Sequence, residues 1–170
     1  MNKDYYAEKG LIVGIGSILM AFTFFASTLF TPRSSLSEIT GHIDMVKVFY
    51  NQVNSSRGGK SVKSELKFTL VDYESVFVLT ENIGNKRYNY LFEQIKKRLN
   101  QYGELTVWVK KSQKRDFKPH VFKIADGNGD VLYDIPDAKA HSKFGFLIAM
   151  GVGFFGIGLY SRHRYLIKKN

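Results

Sequence analysis

The sequence contains no cysteine, three prolines and a single tryptophan. Without cysteine the chain has no disulfide, no thiolate nucleophile, no cysteine metal ligand and no lipid-modified cysteine. It also lacks the HExxH, GxSxG, Walker and kinase signatures, and its four histidines stand at no metal-ligand spacing. We therefore expect a protein that is not an enzyme, with no catalytic residues, no cofactor, no metal site and no small-molecule substrate.

Charged side chains are missing from a first long segment, residues 10–30, which runs for 21 residues. As a helix it would be about 31 Å long, which matches the hydrocarbon core of a bilayer. Pro32 disfavours helix just beyond it. The alternative is a cleaved signal peptide, because residues 26–28 are small, but the apolar stretch is longer than a usual signal core. We predict an uncleaved transmembrane helix over residues 10–30.

A second charge-free segment, Phe144 to Tyr160, is 17 residues long, at the short end of the spanning range. Lys143 and Arg162 flank it and can reach the headgroups. An amphipathic helix lying in the interface is the alternative, but the segment has no polar face. We predict a second transmembrane helix over residues 143–160.

Both predicted spans carry small residues at helical spacing, a pattern that lets helix backbones approach closely. The two helices could pack on each other or on copies of themselves, although glycine is also common in membrane helices in general. The candidate packing residues are Gly10, Gly14, Ser17 and Ala21 in the first span, and Gly145, Ala149, Gly153 and Gly156 in the second.

Lysine and arginine flanking the spans predict the orientation, because they are enriched on the cytoplasmic side. Six such residues lie on the terminal sides of the spans and three lie close to the spans on the domain side. We therefore predict a multi-pass protein of the bacterial inner membrane with both termini in the cytoplasm. The predicted order is a cytoplasmic tail (1–9), a span (10–30), an extracytoplasmic domain (31–142), a span (143–160) and a basic cytoplasmic tail (161–170).

The domain between the spans shows the two-residue period of strands interrupted by one helical stretch. A slip in that period predicts a bulge near Met45 in the first strand. The fold class is therefore α+β within a membrane protein, in the order β-β-β-α-β-β-β. The predicted elements are strands at 39–50, 66–70, 76–80, 104–111, 120–125 and 131–135, a helix from Tyr88 to Tyr102 ended by Gly103, and a connecting segment at 138–142.

Two motif-like strings have simpler explanations. The spacing of Gly151, Gly153 and Gly156 matches a dinucleotide fingerprint, but it lies inside an apolar span with no strand before it. The segment from Asp126 to Asp130 resembles the opening of a calcium loop, yet the later positions of that loop do not match. We interpret the second string as a hairpin turn.

The net charge is +10, from 25 basic and 15 acidic residues. If the basic residues of the domain converge, they form a patch with an aromatic tip at Phe117 that suits anionic lipid, cell-envelope polymer or an acidic protein. A solvated face is the alternative, and an exported domain argues against nucleic acid. The candidate patch residues are Lys96, Lys97, Arg98, Lys110, Lys111, Lys114, Arg115 and Lys118.

Three stretches, 39–43, 99–109 and 122–132, contain Gly41-x-Ile43 in the strand after the first span and Gly103-x-x-x-Val107-x-Val109 in the strand before a hairpin. In these the chain resembles uncharacterised bacterial two-span membrane proteins with a small β-rich insert. The resemblance implies an envelope protein and no particular reaction. We expect a non-enzymatic, membrane-anchored interaction module, an accessory or assembly subunit with membrane lipid and a protein partner or a second copy around it. The alternative is a binder of anionic lipid or envelope polymer.

Overall fold

The structure is a computed structural model and describes residues 3–54, 59–79, 82–84, 86–101 and 103–169. The chain divides into two compact units. Met1–Thr31 and Lys139–Asn170 form the helix unit, and Pro32–Ala138 form the barrel unit.

The first apolar segment is helical from Lys3 to Leu29, in three consecutive parts. These are α1 (Lys3–Met20), a π-helical turn (Ala21–Phe25) and α2 (Ala26–Leu29). The helix begins seven residues before the predicted span because residues 3–9 are compatible with helix. Beyond its end the Thr31 hydroxyl donates to the Ser27 carbonyl at 2.7 Å, and Pro32 is extended.

The second apolar segment lies within one long helix, α4 (Ile135–Lys169). Residues 138–142, expected as a connecting segment, are helical. The backbone N–H of Ile135 donates to Asp134 Oδ1 at 2.8 Å, and Pro136 occupies the first turn, where a missing N–H breaks no helical bond. Its 35 residues correspond to about 52 Å at ~1.5 Å per residue, longer than the apolar block alone.

Both helical segments are long and apolar enough to cross a membrane. Their large side chains mostly point outward: Ile12, Phe24, Phe144 and Phe155 are each 67–69% exposed. A helix inside a soluble core would bury such residues. The two helices are therefore compatible with insertion into a bilayer.

The barrel unit follows the predicted class, an antiparallel sheet with one helix packed on it. Its elements, in chain order, are β1 (Leu36–Asn54), β2 (Lys60–Leu70), β3 (Val76–Val78), β4 (Asn82–Ile83), α3 (Lys86–Leu99), β5 (Glu104–Lys110), β6 (Val121–Asp126) and β7 (Val131–Tyr133). The sheet order is β3-β2-β1-β5-β6-β7, with β4 paired to β2.

The long strand β1 joins the two halves of the sheet. Its first part pairs with β5, Leu36 opposite Lys110, and its second part pairs with β2, Ile43 opposite Leu70. The register shifts between Ile43 and Met45, so the predicted bulge is confirmed. A bulge increases local twist and bends the strand, which allows one strand to serve both halves.

The helix α3 differs from its predicted bounds at both ends, beginning at Lys86 and ending at Leu99 rather than near Gly103. Its predicted apolar face is correct, since Phe92, Ile95 and Leu99 are buried. Tyr50 of β1 ties the helix to the sheet by donating to Glu93 Oε1 at 2.8 Å. Burial, and then that bond to Glu93, raise the pKa of Tyr50 to about 12.

The short strand β4 has no apolar alternation, and the sequence did not predict it. A buried polar cluster holds it instead. The Asn82 amide donates to Ser64 Oγ at 2.9 Å and to Asn89 Oδ1 at 2.8 Å, while the Ser64 hydroxyl donates to Asn89 Oδ1 at 2.6 Å. This cluster links β4, β2 and α3.

The sheet closes on itself through the segment just before β6. Val78 forms a parallel bridge with His120. The backbone N–H of Val76 donates to the Phe117 carbonyl at 2.8 Å, and that of Val78 donates to the Pro119 carbonyl at 3.2 Å. The ring therefore runs β1-β2-β3-β6-β5 and returns to β1. Its interior is filled by side chains that include Leu66, Phe68, Leu70, Phe77, Leu105, Val107, Val109, Phe122 and Ile124.

We expect His120, which lies at this closure, to make the stability of the fold sensitive to acid. Burial, and then the charge of Lys110, lower the pKa of His120 from 6.5 to about 4. Below pH 6.5 the unfolded chain takes up a proton at His120 and the folded chain does not. The free energy of unfolding therefore does not depend on the protonation of His120 above pH 6.5. As the pH falls from 6.5 toward 4 it decreases, by at most about 1.4 kcal/mol per pH unit.

Urea unfolding of the full-length protein in detergent, followed by Trp108 fluorescence, measures this effect. Between pH 6.5 and 4 the free energy of unfolding should fall more steeply for the parent than for the His120→Gln variant. Parallel pH profiles would show that His120 does not carry the effect.

Candidate functional site

The two apolar helices approach each other most closely at glycines. A methyl group placed on Gly14 would lie 2.8 Å from the carbonyl oxygen of Gly153 and 3.1 Å from the backbone nitrogen of Ile157. A methyl group on Gly156 would lie 3.0 Å from Gly14 Cα and would also overlap the Gly10 carbonyl oxygen. Both elements meet through backbone atoms here, so the site has no room for a side chain.

The structure places the other candidate packing residues along the same contact, where they meet side chains or are partly buried. Gly145 faces the ring of Phe25, at 2.5 Å from a methyl group placed on the glycine. Ala21 is fully buried, whereas Ser17 and Ala149 are half-buried. Ala7 is also buried; it was not among the predicted packing residues, although it lies seven residues before Gly14 on the same face of the helix.

The π-helical turn at Ala21–Phe25 lies in the middle of this region. Thr23 Oγ1 donates to the carbonyl of Leu19 at 3.0 Å and lies 3.2 Å from that of Met20. Such back-bonding from threonine often bends a helix, and a π turn changes which side chains face a partner. Here Phe22 meets Phe146 edge to face, with ring centroids 5.4 Å apart.

The structure distributes the candidate basic residues over two ends of β5. Lys110 is the last residue of that strand, and the last turn of α3 leads through Gly103 to Glu104, its first. Six strand steps of ~3.3 Å separate the two ends by about 20 Å. The end-of-strand group comprises Lys110, Lys111, Lys114, Arg115 and Lys118, and the helix group comprises Lys96, Lys97 and Arg98.

In each group one lysine contacts a neighbouring side chain of the domain. Lys96 Nζ lies 3.5 Å from Glu93, and Lys110 Nζ lies 5.7 Å from the centroid of the Phe122 ring. The exposed cations of the end-of-strand group lie in one segment, Lys111–Lys118, which we call the basic loop. It begins with a 3₁₀ turn at Lys111–Gln113.

A cleft on the outer wall of the barrel was not found from the sequence. It has a volume of about 330 Å³. The indole N–H of Trp108 donates to Glu38 Oε1 at 3.0 Å, and Lys123 Nζ lies 4.4 Å from the centroid of the Trp108 ring. These residues come from three different strands, so their proximity depends on the sheet register. Arg33 and Asp134 also line the cleft.

The segment from Asp126 to Asp130 is a hairpin turn, as predicted. Asp126 Oδ1 accepts hydrogen bonds from the backbone N–H of Asn128 at 2.9 Å and of Asp130 at 2.8 Å. One carboxylate oxygen therefore closes the turn itself. Among the residues that the structure describes, no three acidic or histidine side chains form a group suited to a metal ion.

Comparison with known proteins finds no matching family model, curated protein or solved structure.

The glycine contact predicts a sharp positional effect of added side chains. Gly14→Val should separate the two helices, because the new methyl groups would overlap backbone atoms of the other helix. Gly16→Val is the matched control, since a methyl group placed on Gly16 meets nothing within 4 Å outside its own stretch of helix. The same substitution two residues away should leave the helix pair intact.

Pulsed electron paramagnetic resonance of the full-length protein in lipid measures the separation. Because the chain has no cysteine, spin labels can be placed at Glu8→Cys and Arg164→Cys, whose native side chains line one cleft. We expect one short distance in the parent and in Gly16→Val, and a broad, longer distribution in Gly14→Val. Identical distributions in all three would contradict close packing at Gly14.

Proposed function

We propose that this chain is a membrane-anchored interaction module, without enzymatic activity, that serves as an accessory or assembly subunit of a bacterial envelope complex. The observation that carries the proposal is the backbone contact between the two apolar helices at Gly14 and Gly153. Helices that approach this closely in lipid gain van der Waals contacts that lipid tails cannot match.

The outward faces of the helices support a role in a lipid environment. With the small residues turned toward each other, Ile12, Phe24 and Phe155 remain exposed on the helix unit. Such a surface suits lipid tails or the helices of a partner subunit. The proposed orientation puts both termini in the cytoplasm and the barrel unit outside, on the strength of the flanking lysines and arginines.

The barrel unit supports recognition by an outer surface. Its interior is occupied by the side chains of the core, with Leu66, Phe77 and Phe122 fully buried. A barrel of this size has its centre filled by side chains, so a ligand would bind to its wall, its loops or its ends. An accessory subunit needs such a surface rather than an enclosed reaction site.

Affinity purification of the full-length protein from its native membrane in mild detergent tests the proposal. We expect a defined partner to co-purify in a fixed ratio, and to be retained with Gly16→Val but reduced with Gly14→Val, because the helix pair shapes the anchor. Recovery of the parent protein alone, as a monomer, would contradict an accessory role.

A second candidate function, binding of anionic lipid or envelope polymer, is favoured by the basic loop. Four exposed cations lie within eight residues there, with one acid, Asp116. The ring order β1-β2-β3-β6-β5, with a helix between β3 and β5, is also that of OB-fold barrels, which bind oligomers on their wall and loops. That likeness is one of strand order and by itself assigns no ligand.

A further inference from the structure

Both connections between the barrel unit and the apolar helices leave from the same end of the barrel. Leu36, the first residue of β1, lies opposite Lys110, and Val109 lies opposite Val121. The strand β7 runs toward that end and is followed within two residues by α4. We call this the connection end.

The basic loop lies at the connection end because it joins the last residue of β5 to the start of β6. Its backbone is fixed rather than free. The Phe117 carbonyl accepts the N–H of Val76 at 2.8 Å, and the Asp116 carbonyl accepts the Ser75 hydroxyl at 2.9 Å. The loop therefore keeps a defined place beside β3.

The charged and aromatic side chains of the basic loop point away from the core. Phe117 is 65% exposed, although its backbone is bonded to β3. Lys118 Nζ lies 6.0 Å from the centroid of its ring. Lys111, Lys114 and Arg115 are exposed as well. An exposed aromatic ring among cations is the composition of a segment that rests on an anionic membrane surface.

We infer that the basic loop is a lipid-contacting segment, in which Lys111, Lys114, Arg115 and Lys118 bind anionic headgroups while Phe117 enters the interface. The inference rests on the membrane anchoring in the proposed function, because both chain connections to the apolar helices leave the barrel unit at the connection end. Because the loop is tethered to the membrane anchor by the chain itself, its effective concentration at the headgroups is high. A weak attraction is then enough to keep the loop on the membrane surface. In the helix group, at the other end of β5, the pair Lys97 and Arg98 carries the same charge as the pair Lys114 and Arg115 of the basic loop.

Two features favour lipid over a soluble polymer as the ligand, one in the basic loop and one in the turn beside it. A polyanion gains nothing from a protruding phenylalanine without a base to stack on it, whereas an interface accepts the ring. The nearby turn between β2 and β3 carries Asp72 and Glu74, which lower the net charge on that side. A bilayer held next to the loop needs less charge than a polymer captured from solution.

Fluorescence quenching in nanodiscs tests the inference on the full-length protein. The chain lacks cysteine, so a polarity-sensitive label can be placed at one position at a time. Phe117→Cys reports the basic loop, Asn128→Cys the opposite hairpin, and Phe155→Cys the apolar helix. The nanodiscs contain phosphatidylcholine alone or with phosphatidylglycerol, and a lipid with a nitroxide at a shallow acyl position is the quencher.

We expect the Phe117 label to be quenched in anionic nanodiscs, with most of the quenching lost in phosphatidylcholine alone or at high salt. Lys114→Glu with Arg115→Glu should abolish most of it. Lys97→Glu with Arg98→Glu is the matched control, one lysine and one arginine reversed, and should leave it unchanged. The Asn128 label should stay unquenched throughout.

Other outcomes overturn the inference. A quenched Phe155 label with an unquenched Phe117 label would leave the anchoring intact and remove the lipid contact. An unquenched Phe155 label would remove the anchoring itself. A Phe117 label that responds to soluble polyphosphate but not to lipid would replace the lipid contact by polymer binding. Equal loss of quenching in the two charge-reversal variants would show a general charge effect without a site.

Discussion

A contact between two helix backbones at glycine joins the first and the last helical segments of this chain. Gly14 and Gly153 carry no side chains, so backbone atoms of the two helices approach directly and gain van der Waals attraction, with the side chains of Ile18 and Ile157 packed beside them. Because these helices lie near the two ends of the chain, their pairing also closes the whole intervening segment into a loop. A closed loop has fewer unfolded conformations, which favours the folded barrel unit.

The barrel unit closes its own sheet and so pairs backbone groups that would otherwise be exposed at the edge strand. A β-sheet with two open edges exposes unpaired backbone groups, and β3 is only three residues long. The segment from Phe117 to His120 covers that edge with backbone hydrogen bonds. The same bonds fix the basic loop at the connection end. The device that closes the barrel therefore also determines where the exposed cations and Phe117 lie.

Local pattern predicted much of this structure. The apolar segments, the alternation of Leu66, Phe68 and Leu70, and the period slip near Met45 each depend on near neighbours, and each is found in the fold. The stripe of glycines was readable for the same reason, because helical spacing alone puts its members on one face.

Other features depend on contacts between distant residues, which pattern does not contain. The strand β4 exists because Asn82 meets Ser64 and Asn89, and the cleft at Trp108 exists because the register brings Glu38 and Lys123 beside it. The basic residues were grouped by charge alone, whereas β5 holds them in two groups at its ends. The distance between the two groups is set by the length of β5, and this can be seen only when the strand and its pairing partners are known.

In the proposed topology both apolar helices cross the membrane and the barrel unit lies outside the cytoplasm. Labelling of single cysteines in intact cells by a membrane-impermeant maleimide tests it most directly, at Tyr6→Cys, Asn128→Cys and Ser161→Cys, all exposed positions. We expect labelling at position 128 in intact cells, and labelling at positions 6 and 161 only after permeabilisation. Labelling of position 128 together with either terminal position in intact cells, or of none until permeabilisation, would contradict it.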